Sequence, residues 1–328
     1  MTAPSPPMAA GRPAVIERDQ LRSLVSMTDA IVASRRAFTA AARGEITAPL
    51  RTPLSRHRTL VMPAEHVSGS ALVKVIDLQP DGWRQGLPSI GGTALWIDAD
   101  TGRVSAMLDA TALTALRTGA ASGLATALLA GPGASVLAML GTGGQAADQV
   151  GAVCAVRPIR EVRIFGRHAG RRAQLSAELA AAHPGVAFTP AASAAEAVRG
   201  ADVICAATRS QEPLFAIGDL AEQVHINAVG AYRPDMCEVP AAAFGRAAAV
   251  VIDQLEAVLA EGGDVIQAIA AGQLRQESLV EISALLAGPP APPGGTTIFK
   301  SVGIAAQDWA LAELVVSRAW PSGGQAAR

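Results

Sequence analysis

Residues 135–147, Ser-Val-Leu-Ala-Met-Leu-Gly-Thr-Gly-Gly-Gln-Ala-Ala, constrain the fold of this chain more than any other stretch. The apolar run Val136 to Leu140 has the character of a strand buried on both faces of a parallel sheet. It passes straight into Gly141-Thr142-Gly143-Gly144-Gln145-Ala146, a G-x-G-x-x-A turn, and then into a helix-like stretch reaching Val156. Strand, glycine turn and helix in that order are the context a dinucleotide fingerprint requires. Gly141 permits the tight turn, Gly143 lets a pyrophosphate approach the backbone, and Ala146 lets helix and strand pack closely. Free N–H groups and the positive end of the helix then hold the phosphates. With 32 glycines in the chain, a chance cluster is the competing reading. A second strand at the expected distance, Glu161 to Phe165, decides against it.

That second strand is followed by Gly166-Arg167-His168. An NAD site usually ends this strand with an acid that binds the ribose 2′-hydroxyl. Here Arg167 stands there, with Arg171 and Arg172 behind it. An arginine at this point takes a 2′-phosphate, so the sequence leans towards NADPH, with NADH as the alternative. A solvated basic helix start is the bland reading. Arginine is unfavourable at a helix N-terminus, which argues for an anionic guest.

At 328 residues the chain is long enough for two domains with their own cores. Half its residues are hydrophobic, yet no apolar run approaches the length of a membrane span, so no membrane partner is expected. A formal charge of −1 without a long basic run argues against nucleic acid. Cys154, Cys205 and Cys237 lack metal-ligand spacing, and a reduced, cytoplasmic protein is expected. Residues 1–14, rich in Pro, Ala and Ser, are expected to form a disordered tail rather than a secretion signal.

Apolar spacing predicts a helix over 28–43, capped by Thr28 and stopped by Gly44. Short runs at 59–63, 71–78, 93–98 and 104–108 predict a mostly antiparallel sheet, with a hairpin at Asp100-Thr101-Gly102. A long Ala/Leu-rich helix over 110–129 ends at Gly131-Pro132-Gly133. Strands then alternate with helices: 135–140, 161–165, 186–188, 202–207, 224–229 and 248–252. The fold class is therefore α/β: a doubly wound parallel Rossmann-type sheet plus a smaller α+β domain. Residues 116–297 are expected to form the dinucleotide-binding domain, with a Pro/Gly linker at 288–295. Residues 15–115 and 298–328 are expected to form the substrate-binding and dimerisation domain.

Three cations stand at structured places: Arg51, Lys74 and Arg117. Lys74, inside Ala71-Leu-Val-Lys-Val-Ile76, is the most telling, because burial penalises an unpaired charge. It either snorkels at a sheet edge or lines a polar cleft. A substrate carboxylate would satisfy such cations with charge-assisted bonds. For Arg51 and Arg117 taken alone, a surface salt bridge is an equal reading. The sequence offers no Ser/His/Asp set, no metal cluster and no strong carboxylate pair. His57, His66, His168, His183 and His225 are scattered, and each alone reads as structural or surface.

Taken together, Pro49-Leu-Arg-Thr52, Leu72-Val-Lys74, Leu113-Thr-Ala-Leu-Arg-Thr118, Leu140-Gly-Thr-Gly-Gly-Gln-Ala146, Ala201-Asp-Val-Ile204, His225-Ile-Asn-Ala-Val-Gly-Ala231 and Thr297-Ile-Phe-Lys-Ser-Val-Gly303 resemble, in this order, the ornithine cyclodeaminase/mu-crystallin family. The resemblance runs from about residue 20 to the C-terminus. It implies a homodimer with a bound nicotinamide cofactor, and a substrate site in a first domain completed by the C-terminal segment. By position it implies that Arg51, Lys74 and Arg117 are the substrate-carboxylate and catalytic cations. Thr118, Gly141, Thr142, Gly143, Gly144 and Gln145 then belong to cofactor binding, as do Arg167 at the adenosine ribose and Thr208 and Val229 at the nicotinamide half.

One departure separates the branches of that family. Cyclodeaminases carry a basic aspartate two residues past the glycine equivalent to Gly230, and Tyr232 stands there. A phenol is a poor base at neutral pH. The stretch Gly230–Asp235 resembles mu-crystallin and the ketimine reductases, which reduce cyclic imino acids with NAD(P)H. The expected activity is therefore reduction of Δ1-pyrroline-2-carboxylate or Δ1-piperideine-2-carboxylate to the cyclic amino acid. The alternatives are an ornithine cyclodeaminase, an alanine-type amino-acid dehydrogenase, or a non-catalytic NADPH-dependent binding protein of mu-crystallin type. Whether Asp235 or Glu238 replaces the missing base is left open by the sequence.

Overall fold

The computed structural model describes residues 12–54, 58–79, 90–288 and 294–321. The chain divides into two compact units, Met1–Arg117 with Ile304–Arg328, and Thr118–Gly303.

The first unit contains β1 (Ala14–Ile16), α1 (Arg18–Leu24), α2 (Met27–Ala42), β2 (Ile46–Thr47), β3 (Thr52–Pro53), β4 (Thr59–His66), β5 (Ala71–Leu78), β6 (Ile90–Ile97) and β7 (Val104–Asp109). Its sheet has the order β1-β7-β6-β5-β4-β2, with β3 on β4, and is antiparallel except where β1 joins β7. Ala14 pairs with Ala106, so the tail expected to run to residue 14 gives way to a strand there. Residues 1–11 of that tail lie outside the described residues. Helix α2 is capped by Ser26 rather than Thr28: Ser26 Oγ accepts from Asp29 N at 3.2 Å, and Asp29 Oδ2 accepts from Ser26 N at 3.1 Å. This reciprocal pair satisfies two orphan N–H groups of the first turn. Gly44, at φ +70°, follows the end of α2 as the glycine stop predicts.

Helix α3 (Ala110–Leu129) follows. By length and composition it could cross a membrane, which corrects the expectation that no segment reaches that length. Within it, 94% of an 18-residue stretch is buried, as in a core helix. Arg157 closes its C-terminal end, donating to the carbonyls of Thr126, Ala127, Ala130 and Gly131. Thr126 O and Gly131 O also accept from Ala130 N and Ala134 N, so the guanidinium gathers the carbonyls of the last turn and of the loop after it.

The second unit is the βα alternation: β8 (Val136–Leu140), α4 (Ala146–Val156), β9 (Glu161–Phe165), α5 (Ala169–Ala182), β10 (Ala187–Pro190), α6 (Ala194–Val198), β11 (Val203–Ala206), β12 (Val224–Ala228), α7 (Ala241–Arg246), β13 (Ala249–Ile252), α8 (Leu255–Glu261), α9 (Gly263–Ala270), β14 (Leu279–Glu281), α10 (Ile282–Leu286) and β15 (Thr296–Lys300). The sheet order is β10-β9-β8-β11-β12-β15-β13-β14, and all its pairs are parallel. The order reverses between β8 and β11, and ligands of such sheets sit at the carboxyl ends beside that switch. His225 is buried here between Thr297 Oγ1 and Asn227 Oδ1, a structural role, and burial pushes its pKa down to about 3.

The chain then returns to the first unit through α11 (Ala305–Ala319). Two domain boundaries differ from expectation. The first falls at 117/118 rather than 115/116, because α3 is one continuous helix with no break to mark it. The second falls at 303/304 rather than 297/298, because β15 is a sheet strand paired with β12 and β13. Residues 289–293 of the expected linker lie outside the described residues.

Candidate functional site

The first unit holds the cations. β5 lies between β4 and β6, away from both sheet edges, and Lys74 sits mid-strand opposite Met62 and Ala94. Leu72, Lys74 and Ile76 face the buried side, alternating with the more exposed Val73 and Val75. Lys74 is therefore a core residue, and the edge-snorkelling alternative fails. Its Nζ donates to Asp308 Oδ2 at 2.7 Å and to Thr114 Oγ1 at 3.3 Å. Asp308, on α11, is fully buried, and its Oδ1 accepts from Arg117 Nε at 3.1 Å. Gln307 Oε1 completes the group, accepting from Arg117 Nη1 at 3.4 Å and from Ile304 N at 3.0 Å.

One carboxylate is thus shared by two buried cations. The surface salt bridge considered for Arg117 is replaced by a buried one, because α11 lies against β5 and brings an acid to its buried face. Burial pushes the Lys74 ammonium down to about 7; Asp308 opposes this, while the charges of Arg117 and Arg51 add to it. Arg51, half-buried just before β3, therefore acts electrostatically at the same group. Lys74 and Arg117 share the one carboxylate of Asp308, an arrangement suited to a second carboxylate. Sequence reasoning missed Asp308. The signal was Gln307-Asp308 opening an otherwise Ala/Leu-rich helix immediately after Gly303-Ile304.

The second unit holds the glycine turn. Gly141 has φ +113°, and a Cβ there would meet Ala207 O at 2.6 Å, so only glycine fits. Its N–H donates to Phe165 O at 2.8 Å, which ties the turn to the end of β9. A Cβ on Gly143 or Gly144 would meet nothing within 4 Å, leaving open space in front of an exposed backbone. Gln145, the N-cap of α4, makes no side-chain bond to the first-turn N–H groups. Open space, bare glycine backbone and an uncapped helix start fit a dinucleotide pyrophosphate.

Thr142 packs on the end of β9, since a Cβ at Gly166 would meet its Cγ2 at 2.8 Å and Oγ1 at 2.9 Å. Arg167 and Arg171 beyond it are exposed. Arg172 is not part of an open cationic group: its Nη1 donates to Gly166 O at 2.6 Å and holds the strand end. Thr118 is buried on α3. Thr208 and Val229 follow β11 and β12 at their carboxyl ends, where Val229 N donates to Ala206 O at 2.9 Å. Tyr232 is half-buried. Asp235 is exposed and paired with Arg233 at 2.7 Å, which holds its carboxyl below the usual range. Glu238 is buried, accepting from Thr208 N and Oγ1 on one oxygen and from Gly230 N and Ala231 N on the other.

The chain is similar to known proteins over most of its length. The chain is 33% identical, over 93% of its length and 96% of the relative, to a Delta(1)-pyrroline-2-carboxylate reductase of Bacillus cereus. It is 34% identical, with the same coverage, to the ketimine reductase mu-crystallin of Mus musculus. Among solved structures, the Delta(1)-pyrroline-2-carboxylate reductase of Thermococcus litoralis in complex with NADH and L-proline superimposes with a TM-score of 0.87 at 32% identity, covering 93% of this chain and 97% of that one. An archaeal alanine dehydrogenase dimer with bound NAD gives 0.85 at 30% identity, covering 93% and 95%. Residues 12–323 match the model of one family. With a charged cluster under an antiparallel sheet, a glycine turn on a parallel one and that match over nearly all its length, this chain belongs to the ornithine cyclodeaminase/mu-crystallin family.

Proposed function

We propose that this chain reduces cyclic ketimine acids, Δ1-pyrroline-2-carboxylate or Δ1-piperideine-2-carboxylate, to the corresponding cyclic amino acids. The observation that carries this reading is the buried group Lys74, Asp308 and Arg117. Arg117 and Arg51 receive the substrate carboxylate and orient the C=N bond, and such positioning supplies much of the rate. The Lys74 ammonium gives its proton to the imine nitrogen and is reprotonated from solvent. A group pushed down to about 7 does this readily near neutral pH. Asp308 holds both cations in place between turnovers. Gly141, Thr142, Gly143, Gly144 and Gln145, with Thr118, Thr208 and Val229, would hold a reduced nicotinamide dinucleotide, which would supply the hydride.

Reduction is favoured over cyclodeamination by the carboxylates near Tyr232. Asp235 is tied to Arg233, and Glu238 is occupied by four donors, so neither stands ready as the base that cyclisation needs. Unpaired cysteines, with Cys205 and Cys237 buried, fit the reducing cytoplasm. A homodimer is part of the reading. The outer face of the first unit's sheet carries Val61, Val73, Val75, Leu95 and Met107 as cross-strand neighbours, each left partly exposed. An apolar sheet face of this kind marks an association surface.

NADPH is the proposed cofactor, with Arg167 on its 2′-phosphate. A substrate panel run with NADPH and NADH tests both parts of the reading. Steady turnover on cyclic ketimine acids is expected, faster with NADPH. No turnover on any imino acid contradicts the activity, and equal efficiency with both cofactors contradicts the role of Arg167. In Arg167→Ala the efficiency with NADPH should fall roughly ten- to a hundredfold, while that with NADH stays near the parent value.

A further inference from the structure

Three buried charges in the second unit take no part in the scheme above. Glu238 receives Thr208 N at 2.5 Å and Thr208 Oγ1 at 2.8 Å on Oε1, and Gly230 N at 2.7 Å and Ala231 N at 3.0 Å on Oε2. Asp264, at the start of α9, fixes the segment that carries it: Oδ1 accepts from Glu238 N at 2.6 Å and Val239 N at 3.0 Å. Lys300, the last residue of β15, donates to Asp264 Oδ2 at 2.7 Å and to Ala231 O at 2.6 Å. Ala231 is therefore held by its N–H and by its carbonyl. The two strand ends pack in contact, since a Cβ at Gly230 would run into the Thr208 backbone and Glu238 Oε1.

We propose that Glu238 is a positioning residue whose carboxylate staples Thr208 to Gly230–Ala231, so that the strand ends assigned to the nicotinamide half hold one geometry before the cofactor arrives. The inference rests on the cofactor reading given above. The residue type follows from the donors. Four hydrogens converge from two segments on one side chain, and only an ionised carboxylate accepts on both oxygens. A glutamine offers one acceptor and turns an NH₂ group against N–H donors. Asp264 and Lys300 set the place of the carboxylate by holding its backbone and the Ala231 carbonyl.

The staple has a pH range. Burial pushes Glu238 up to about 7, with Asp264 adding to this and Lys300 opposing it. The Cys237 thiol also lies near this group, and burial pushes it up to about 12, so it is uncharged here. Ionised Glu238 holds the loops, so grip on the cofactor weakens as pH falls through about 7.

The test is a fluorescence titration with NADPH beside a titration with 2′,5′-ADP, its adenosine half, from about pH 6 to about pH 8.5. If the substrate panel shows a preference for NADH, the pair is NADH and ADP. In Glu238→Gln, affinity for the whole cofactor at the alkaline end should fall roughly tenfold or more. Affinity for the adenosine half should stay within about twofold, and the inflection near pH 7 that the parent shows with the whole cofactor, beyond the ligands' own phosphate titration at about pH 6, should vanish. Asp264→Asn removes the like charge beside Glu238, so it should keep the inflection and move it to lower pH. If Glu238→Gln does not fold, that displacement carries the test. Parental binding of NADPH by Glu238→Gln at every pH overturns the staple, as does equal loss of both ligands or an unmoved inflection in Asp264→Asn. A parent protein that binds neither ligand overturns the cofactor reading itself, and this inference with it.

Discussion

Lys74→Met lowers turnover by roughly 10²–10⁴-fold, the range for losing a positioned proton donor, while the reduced cofactor still binds. Methionine fills the space of the lysine stem, so the sheet loses a charge rather than its packing. Asp308 keeps Arg117 as a partner in the variant, which spares it an isolated buried charge. The parent rate should fall as pH rises through about 7, because the proposed role of Lys74 requires its protonated form and burial pushes the ammonium down to that range. That alkaline limb should be missing from the residual activity of Lys74→Met. Steady-state kinetics across pH, with cofactor binding measured separately, reads both effects. Full activity in the variant removes Lys74 from the chemistry.

Asp308→Asn should be costly in two ways. It leaves Lys74 and Arg117 buried without their shared counter-charge, and breaking a buried pair on one side costs about 3–5 kcal/mol. Chemical denaturation reads this as a lower midpoint. It also removes the Asp308 charge that supports the protonated form of Lys74, so the alkaline limb of the rate profile should move to lower pH. A variant as stable as the parent, with an unmoved limb, would show that the cluster is held by something other than Asp308.

The sequence made some of this legible and not the rest, for physical reasons. Lys74 and Arg117 stand out because a charge inside an apolar strand or an Ala/Leu helix needs an explanation within its own segment. The glycine turn stands out because its spacing encodes a backbone shape. Asp308 does not, since its two partners lie 234 and 191 residues away in the chain. The same holds for Glu238, Asp264 and Lys300, whose connection exists only once β12, β15 and α9 have come together. Strands β1, β2 and β3, of two or three residues each, are too short to show any periodicity. The cap of α2 was missed by two residues because Ser26 and Thr28 are both competent caps, and only the Asp29 bonds choose between them. Arg172 read as part of a cationic patch because a sequence cannot show that a backbone carbonyl already occupies it.

Imine reduction, with Asp235 and Glu238 occupied by other partners, has a direct chemical signature. Product stoichiometry in two parallel incubations reads it: Δ1-pyrroline-2-carboxylate with NADPH, and L-ornithine with NAD+. One proline is expected per NADPH oxidised in the first, and little or no proline and ammonia in the second. Efficient conversion of ornithine to proline and ammonia without net cofactor consumption would contradict it, and would mean that Asp235 or Glu238 serves as the base despite the partners that occupy them.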